Sequence, residues 1–236
     1  MKNALQHHIL RTYTDLRIGT AAIALLFPPS LWLAGTFIPL LRTDFQPSMS
    51  AYYHTPLRNI FVGSLFIIGS FLYLYRGFTK RENFLLNVAG LCAVVVALCP
   101  TSLTCNGAQD FLCNLRAKEI FTLPIPHGIA AITFFLCIAA SCILDSKKTL
   151  KLITSTSRQN WLQRLYWLYG FLMIALPLWA AYLSYAIEST VPPTDRHIAY
   201  RVEFAAVWIF AFYWITKSLE IYKTGADFEA ARGKQI

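Results

Sequence analysis

Six apolar runs, each close to the length needed to cross a bilayer, limit what this chain can fold into. They lie near Ile18–Leu41, Asn59–Tyr75, Asn83–Cys99, His127–Leu144, Leu165–Ile187 and Val202–Tyr222. About 20 apolar residues in a helix span the hydrocarbon core, and a helix leaves no backbone amide unpaired in lipid. Only 14% of the residues are charged, whereas about a quarter are charged in soluble domains. The sequence therefore predicts an all-α polytopic membrane protein, a single bundle of six transmembrane helices over residues 1–236.

Lysine and arginine concentrate in alternate connections, which predicts the orientation of the bundle. The basic residues of the N-terminal segment, the second and fourth connections and the tail are Lys2, Arg11, Arg17, Arg76, Lys80, Arg81, Lys147, Lys148, Lys151, Arg158, Arg164, Lys223, Arg232 and Lys234. Basic connections stay in the cytoplasm, so both termini are predicted inside, in a bacterial-type inner membrane. The net charge of +9 is then a signal of topology, and no nucleic-acid partner is expected.

The first apolar run is predicted to be a retained anchor. It is longer than the apolar core of a signal peptide, and Pro28-Pro29 interrupt it. Two prolines inside a helix remove backbone donors, so they also predict a kink or a break in this span.

Two cysteines fall in the longest connection that is predicted to face outward. Cys105 and Cys113 bracket the stretch "CNGAQDFLC". An oxidising compartment would join them in a disulfide. A metal site is the alternative, although the stretch lacks the Cys-x-x-Cys spacing typical of one. Whether Cys99, at the end of the third run, takes part in the disulfide stays open.

Polar residues collect where the second, fourth and sixth runs begin, which is the predicted outer face. Three histidines lie at these starts: His54, His127 and His197. Prolines close to each start are typical of helix N-termini, which carry a partial positive charge and free amides. The other candidate site residues are Ser50, Tyr53, Arg58, Arg201 and Glu203. Glu203 lies within the sixth run, where a carboxylate normally faces the bundle interior, so we expect it to contact Arg58, His54 or His127.

These residues allow two kinds of site. Helix N-termini with arginines nearby would bind a small anionic ligand or a lipid headgroup without a cofactor. Alternatively, neutral His54, His127 and His197, with Glu203, would hold zinc and activate a water molecule. A third interpretation is an interfacial belt of tyrosines and arginines with no function of its own. The anionic ligand is our first prediction, because a helix N-terminus disfavours a bound cation.

Four blocks of the sequence resemble a family of uncharacterised bacterial multi-pass inner-membrane proteins: "SMSAYYHTPLRNIFVG", "RENFLLNVAGLCAVVVALCP", "HGIAAITFF" and "EFAAVWIFAFYWITKSLE". This resemblance implies the architecture alone. A fainter similarity is to the superfamily of alkaline ceramidases and adiponectin receptors, which are membrane zinc hydrolases. Ser50 and His54 match its Ser-x-x-x-His unit, but the aspartate and the later His-x-x-x-His of that superfamily are missing. The similarity implies a zinc-dependent hydrolase of a lipid amide or ester as the alternative function. Membrane lipids are the expected partners, and a homo-oligomer is possible.

Overall fold

The structure is a computed structural model that describes residues 2–101, 123–187 and 197–231. Within these ranges the chain is helical and contains no strand. Its α-helices are α1 (Lys2–Phe37), α2 (Arg58–Leu74), α3 (Lys80–Leu98), α4 (Pro124–Leu150), α5 (Thr156–Ile187), α6 (Ile198–Thr224) and α7 (Ala226–Ala231). Two short 3-10 helices, Pro39–Leu41 and Ser50–His54, lie in the connection between α1 and α2.

Five of the described helices are long and apolar enough to cross a membrane, so this is a multi-pass membrane protein. These spans are Leu10–Phe37, Lys80–Leu98, Ile125–Leu150, Thr156–Leu183 and Ile198–Thr224. The remaining predicted span corresponds to α2, which is apolar but has only 17 residues. At about 1.5 Å per residue, α2 is about 26 Å long, slightly short of the hydrocarbon thickness of about 30 Å.

The six long helices form a closed ring. Each packs on its neighbour in sequence from α1 to α6, and α6 packs back on α1. Two helices of this ring approach closely at Gly69 and Gly90: a Cβ on Gly69 would lie 2.7 Å from the carbonyl oxygen of Gly90. Small residues thus let α2 and α3 touch along their backbones, as interfaces between membrane helices often do.

The ring has two polar ends. We call the first the histidine end; it comprises residues 38–57, the end of α3 and the starts of α2, α4 and α6. We call the other the basic end; it comprises the first turns of α3 and α5, the ends of α2, α4 and α6, and α7. Arg17 of α1 also lies there, because it contacts Asp227 of α7. An apolar core cluster lies beneath each end, with Tyr52 and Tyr200 in one and Leu150 and Trp214 in the other.

Pro28 and Pro29 do not break α1, which continues through both. Proline has no N–H, so Pro29 leaves the carbonyl of Leu25 without its usual helical donor. The indole Nε1 of Trp208 donates to that oxygen at 3.1 Å. The prediction of a break is therefore wrong: a side chain from α6 replaces the missing backbone donor, as lipid could not. The alternative, a kink at these prolines, stays a prediction.

Candidate functional site

The connection between α1 and α2 folds back across the histidine end. The amide of Tyr200 donates to the carbonyl of Pro47 at 3.0 Å, which ties the connection to the start of α6. Met49, Tyr52 and Leu57 are buried beneath it, and burial raises the pKa of Tyr52, which therefore packs as a neutral phenol. These apolar anchors fix the 3-10 helix Ser50–His54 in place, with Ser50 partly exposed at its start.

Ser50 and His127 form the closest pair of reactive side chains at this end. The Oγ of Ser50 lies 2.8 Å from Nε2 of His127, and Nδ1 of the same ring lies 2.7 Å from the carbonyl oxygen of Cys99. A carbonyl oxygen only accepts, so in the neutral ring the proton is on Nδ1 and Nε2 is an acceptor. The Ser50 hydroxyl therefore donates to His127. This is the order of nucleophile, base and orienting acceptor found in serine hydrolases, with a backbone carbonyl in place of the acid.

Local structure explains how the His127 ring is held in this arrangement. It lies in the first turn of α4, after the prolines at 124 and 126, and its side chain is almost fully buried. Cys99 lies just past the last helical residue of α3, so its carbonyl has no partner within the helix. It can therefore accept the hydrogen bond from the Nδ1–H group of His127. The Cys99 carbonyl at the end of α3 and the Ser50 hydroxyl at the start of the 3-10 helix thus contact the two nitrogen atoms of the ring.

The other two histidines have different neighbours. Nε2 of His54 lies 2.8 Å from the carbonyl oxygen of Thr101, and the ring of His197 packs edge-on against Phe45 at 4.6 Å between centroids. In the part of the chain that the structure describes, no three His, Cys, Asp or Glu side chains are placed to hold a metal ion. The structure thus does not assemble the predicted zinc ligands His54, His127 and His197, because each ring is engaged by a separate part of the backbone or core.

Glu203 turns toward the connection, but its predicted partners were wrong. Its Oε2 accepts the amide of Met49 at 2.6 Å and reaches none of Arg58, His54 or His127. The backbone of the connection comes closer to α6 than those side chains do. Glu203 and His127 therefore hold neighbouring residues, Met49 and Ser50, rather than meeting in one shared pocket.

The two arginines predicted for the site remain exposed at the histidine end. Arg58 begins α2, and its Cζ lies 4.2 Å from the ring centroid of Tyr53, while its Nη2 donates to the Tyr53 hydroxyl at 2.5 Å. Arg201 lies in the first turn of α6. Neither guanidinium forms an ion pair among the described residues, so both positive charges are available to an outside anion.

The predicted disulfide lies outside the described residues. Cys105 and Cys113 fall in the segment 102–122, so their pairing stays a prediction. The cysteines that the structure describes, Cys92, Cys99, Cys137 and Cys142, are free thiols.

The basic end contains a buried charged network that the sequence analysis did not predict. Nζ of Lys217 donates to Thr149 Oγ1 at 2.5 Å and lies 3.4 Å from Oε2 of Glu220. Tyr166 also donates to Glu220. Lys217 and Glu220 are almost fully buried. Their spacing of three residues at the end of the sixth apolar run was the available signal, because charges inside a span normally face the bundle interior.

Two further ion pairs lie at this end. The guanidinium of Arg17, itself buried, contacts the Asp227 carboxylate at 2.7 Å and thereby joins α1 to α7. Arg81 contacts Asp145 at 2.9 Å, and Thr79 donates to the same carboxylate. Thr79 also caps α3 by accepting the amide of Glu82, while the Glu82 carboxylate accepts the amide of Phe78. The basic end is therefore held by side chains that pair with one another.

Comparison of the chain with protein-family models, with curated proteins and with solved structures found no match. The family resemblance of the four sequence blocks stays a prediction, and the candidate function rests on the geometry of the two ends.

Proposed function

We propose that this protein is a membrane hydrolase that uses Ser50 to cleave a lipid ester at the histidine end. The observation that carries the proposal is the hydrogen bond from Ser50 to His127, whose ring is oriented by the Cys99 carbonyl. A serine hydroxyl is a weak nucleophile until a base accepts its proton, and this arrangement supplies the base. The zinc that the sequence suggested for a hydrolase has no part in this step.

The reaction would proceed in two halves. In the first, Ser50 Oγ attacks the ester carbonyl carbon while its proton passes to His127 Nε2. The alcohol then leaves with that proton, and an acyl-serine remains. In the second half, water attacks the acyl-serine, its proton passes through Nε2 back to Ser50, and the carboxylic acid is released. The Cys99 carbonyl accepts a hydrogen bond from the Nδ1–H group throughout and stabilises the imidazolium that forms.

The predicted membrane setting supports a lipid as the substrate. We infer six spans with both termini in the cytoplasm, in a bacterial inner membrane, so that the histidine end faces outward. Ser50 would then lie at headgroup depth, where a lipid ester is also found. The anionic ligand or lipid headgroup predicted from the sequence becomes the polar part of this substrate, and no cofactor is required.

The test is a Ser50→Ala variant of the full chain, purified and placed in nanodiscs with a lipid whose acyl ester releases a fluorescent product. Loss of the nucleophile is expected to lower hydrolysis by roughly three orders of magnitude or more. His127→Gln should lower it comparably. A fluorophosphonate probe should label wild-type Ser50, as located by mass spectrometry of the peptides, and should not label the Ser50→Ala protein.

Ser48→Ala is the matched control. Ser48 lies two residues away in the same connection, and its hydroxyl accepts the amide of Ala51 at 3.2 Å without touching His127. This variant should retain most of the hydrolysis and the probe labelling. Equal hydrolysis by the wild type and Ser50→Ala, or labelling at a residue other than Ser50, would refute the proposed function.

A further inference from the structure

We infer that the substrate carries a negative charge next to its ester, and that Arg58 recognises it. This inference rests on the proposed function and names the class of substrate, an anionic lipid ester. It requires that a cation lie beside the nucleophile and that this cation be free to take an external anion.

The 3-10 geometry of residues 50–54 places Tyr53, which holds Arg58, on the same side of the short helix as Ser50. In a 3-10 helix, side chains three residues apart lie one above the other. Ser50 and Tyr53 have this spacing. Tyr53 in turn holds Arg58, both through its ring face and through its hydroxyl. Ser50 and the pair formed by Tyr53 and Arg58 therefore share one side of the short helix.

The guanidinium of Arg58 is held in position but not neutralised. Its hydrogen bond to Tyr53 uses one of five N–H donors, and its side chain is exposed. No carboxylate pairs with it among the described residues. A fixed guanidinium with a free edge is well suited to bind a phosphate or carboxylate through two hydrogen bonds. Tyr53 restricts the side chain before the ligand arrives, so less entropy is lost on binding.

Arg201 does not have the same relation to the nucleophile. It lies on α6, whose Tyr200 and Glu203 contact the connection at Phe45, Pro47, Met49 and Tyr52, and among the described residues none of these contacts is to Tyr53. We therefore assign the selection of the anionic group to Arg58.

The experiment compares two lipids with identical acyl chains in nanodiscs, phosphatidylglycerol and diacylglycerol, which has the same esters but no phosphate, as substrates of the full chain. Wild type should hydrolyse the anionic lipid with the higher kcat/KM. Arg58→Gln should lower kcat/KM for phosphatidylglycerol by about tenfold or more, and leave that for the uncharged diacylglycerol within twofold. Arg58→Lys should retain part of the preference, because lysine keeps the charge but not the two-point contact. Arg42→Gln, which removes another exposed arginine of the same end, should leave the ratio unchanged.

A third substrate distinguishes a lipid headgroup from a soluble anion. A short-chain, water-soluble ester of glycerol phosphate offers the same charge without membrane anchoring. If Arg58→Gln lowers the hydrolysis of phosphatidylglycerol but not of the soluble ester, the substrate is a lipid. If it lowers the hydrolysis of both equally, Arg58 recognises the anionic ester itself and membrane anchoring is not required.

The outcomes separate the two proposals. If hydrolysis depends on Ser50 but the ratio for the two lipids is the same in Arg58→Gln as in wild type, the assignment of Arg58 is wrong and the hydrolase stands. If hydrolysis of no substrate depends on Ser50, the proposed function fails, and the substrate class fails with it.

Discussion

The two ends of the bundle satisfy most of their charged groups in different ways. At the basic end, charged side chains pair with one another in the interior, as Lys217 does with Glu220 and Arg17 with Asp227. At the histidine end, side chains pair with the backbone: His54 and His127 with carbonyls, and Glu203 with an amide. The arginines of this end stay exposed. Buried charge thus joins helices at one end, whereas the other keeps a partly exposed serine and exposed arginines.

This difference separates stability from activity. Removing one partner of a buried ion pair leaves a charge without compensation, which costs far more than loss of an exposed pair. Variants at the basic end should therefore lower the free energy of unfolding. Variants of Ser50 or Arg58 should change catalysis at nearly constant stability, because these side chains are partly or fully exposed.

The largest loss of stability is expected for Lys217→Met. This substitution removes the positive charge that pairs with Glu220, which has no other cationic partner among the described ion pairs. It also removes the hydrogen bond to Thr149. The expected cost is about 3–5 kcal/mol, measured by chemical unfolding in detergent. Lys148→Met is the control, because Lys148 is exposed on α4 and its loss should change the free energy by less than about 0.5 kcal/mol. Equal stability of the two variants would show that the network does not hold this end together.

A smaller effect is expected for Trp208→Phe, which tests pairing between a side chain and the backbone. Phenylalanine retains most of the ring but cannot donate to the Leu25 carbonyl that Pro29 leaves open. A buried acceptor without a partner costs about 1–3 kcal/mol. Trp161→Phe, at an exposed position on α5, supplies the comparison, and thermal unfolding of both proteins gives the measurement. A difference of zero between them would mean that water or another donor reaches Leu25.

The smallest effect is expected for Arg81→Ala. Its side chain is 53% exposed, although the partner Asp145 is buried. Exposed pairs contribute about 0–1 kcal/mol, and Asp145 keeps its bond from Thr79. The free energy of unfolding should fall by about 1 kcal/mol or less relative to Arg76→Ala, an exposed arginine nearby. A loss as large as that of Lys217→Met would show that the exposed and the buried pair contribute equally to the free energy of unfolding.

Local patterns in the sequence predicted the elements of the fold but not the pairs within it. The run 59–75 corresponds closely to α2, because apolarity alone decides where a helix lies in lipid. The start of α3 came three residues earlier than predicted, since Thr79 and Glu82 form a capping box within a polar stretch. The pairing of Ser50 with His127, 77 residues apart, depends on where the connection folds. The zinc hypothesis assumed that histidines on one face share a centre, whereas carbonyl oxygens of the backbone were nearer to two of them.

The closure of the ring by α6 has a consequence for the order of synthesis. Helices emerge from the N-terminus onward, so α1 enters the bilayer long before α6 exists. Until then, the Leu25 carbonyl lacks the Trp208 donor and the Arg17 guanidinium lacks Asp227. Both groups are costly in lipid without those partners. The helices made later therefore supply the partners that α1 lacks, and in a chain arrested before α6 the Leu25 carbonyl and the Arg17 guanidinium would stay unpaired.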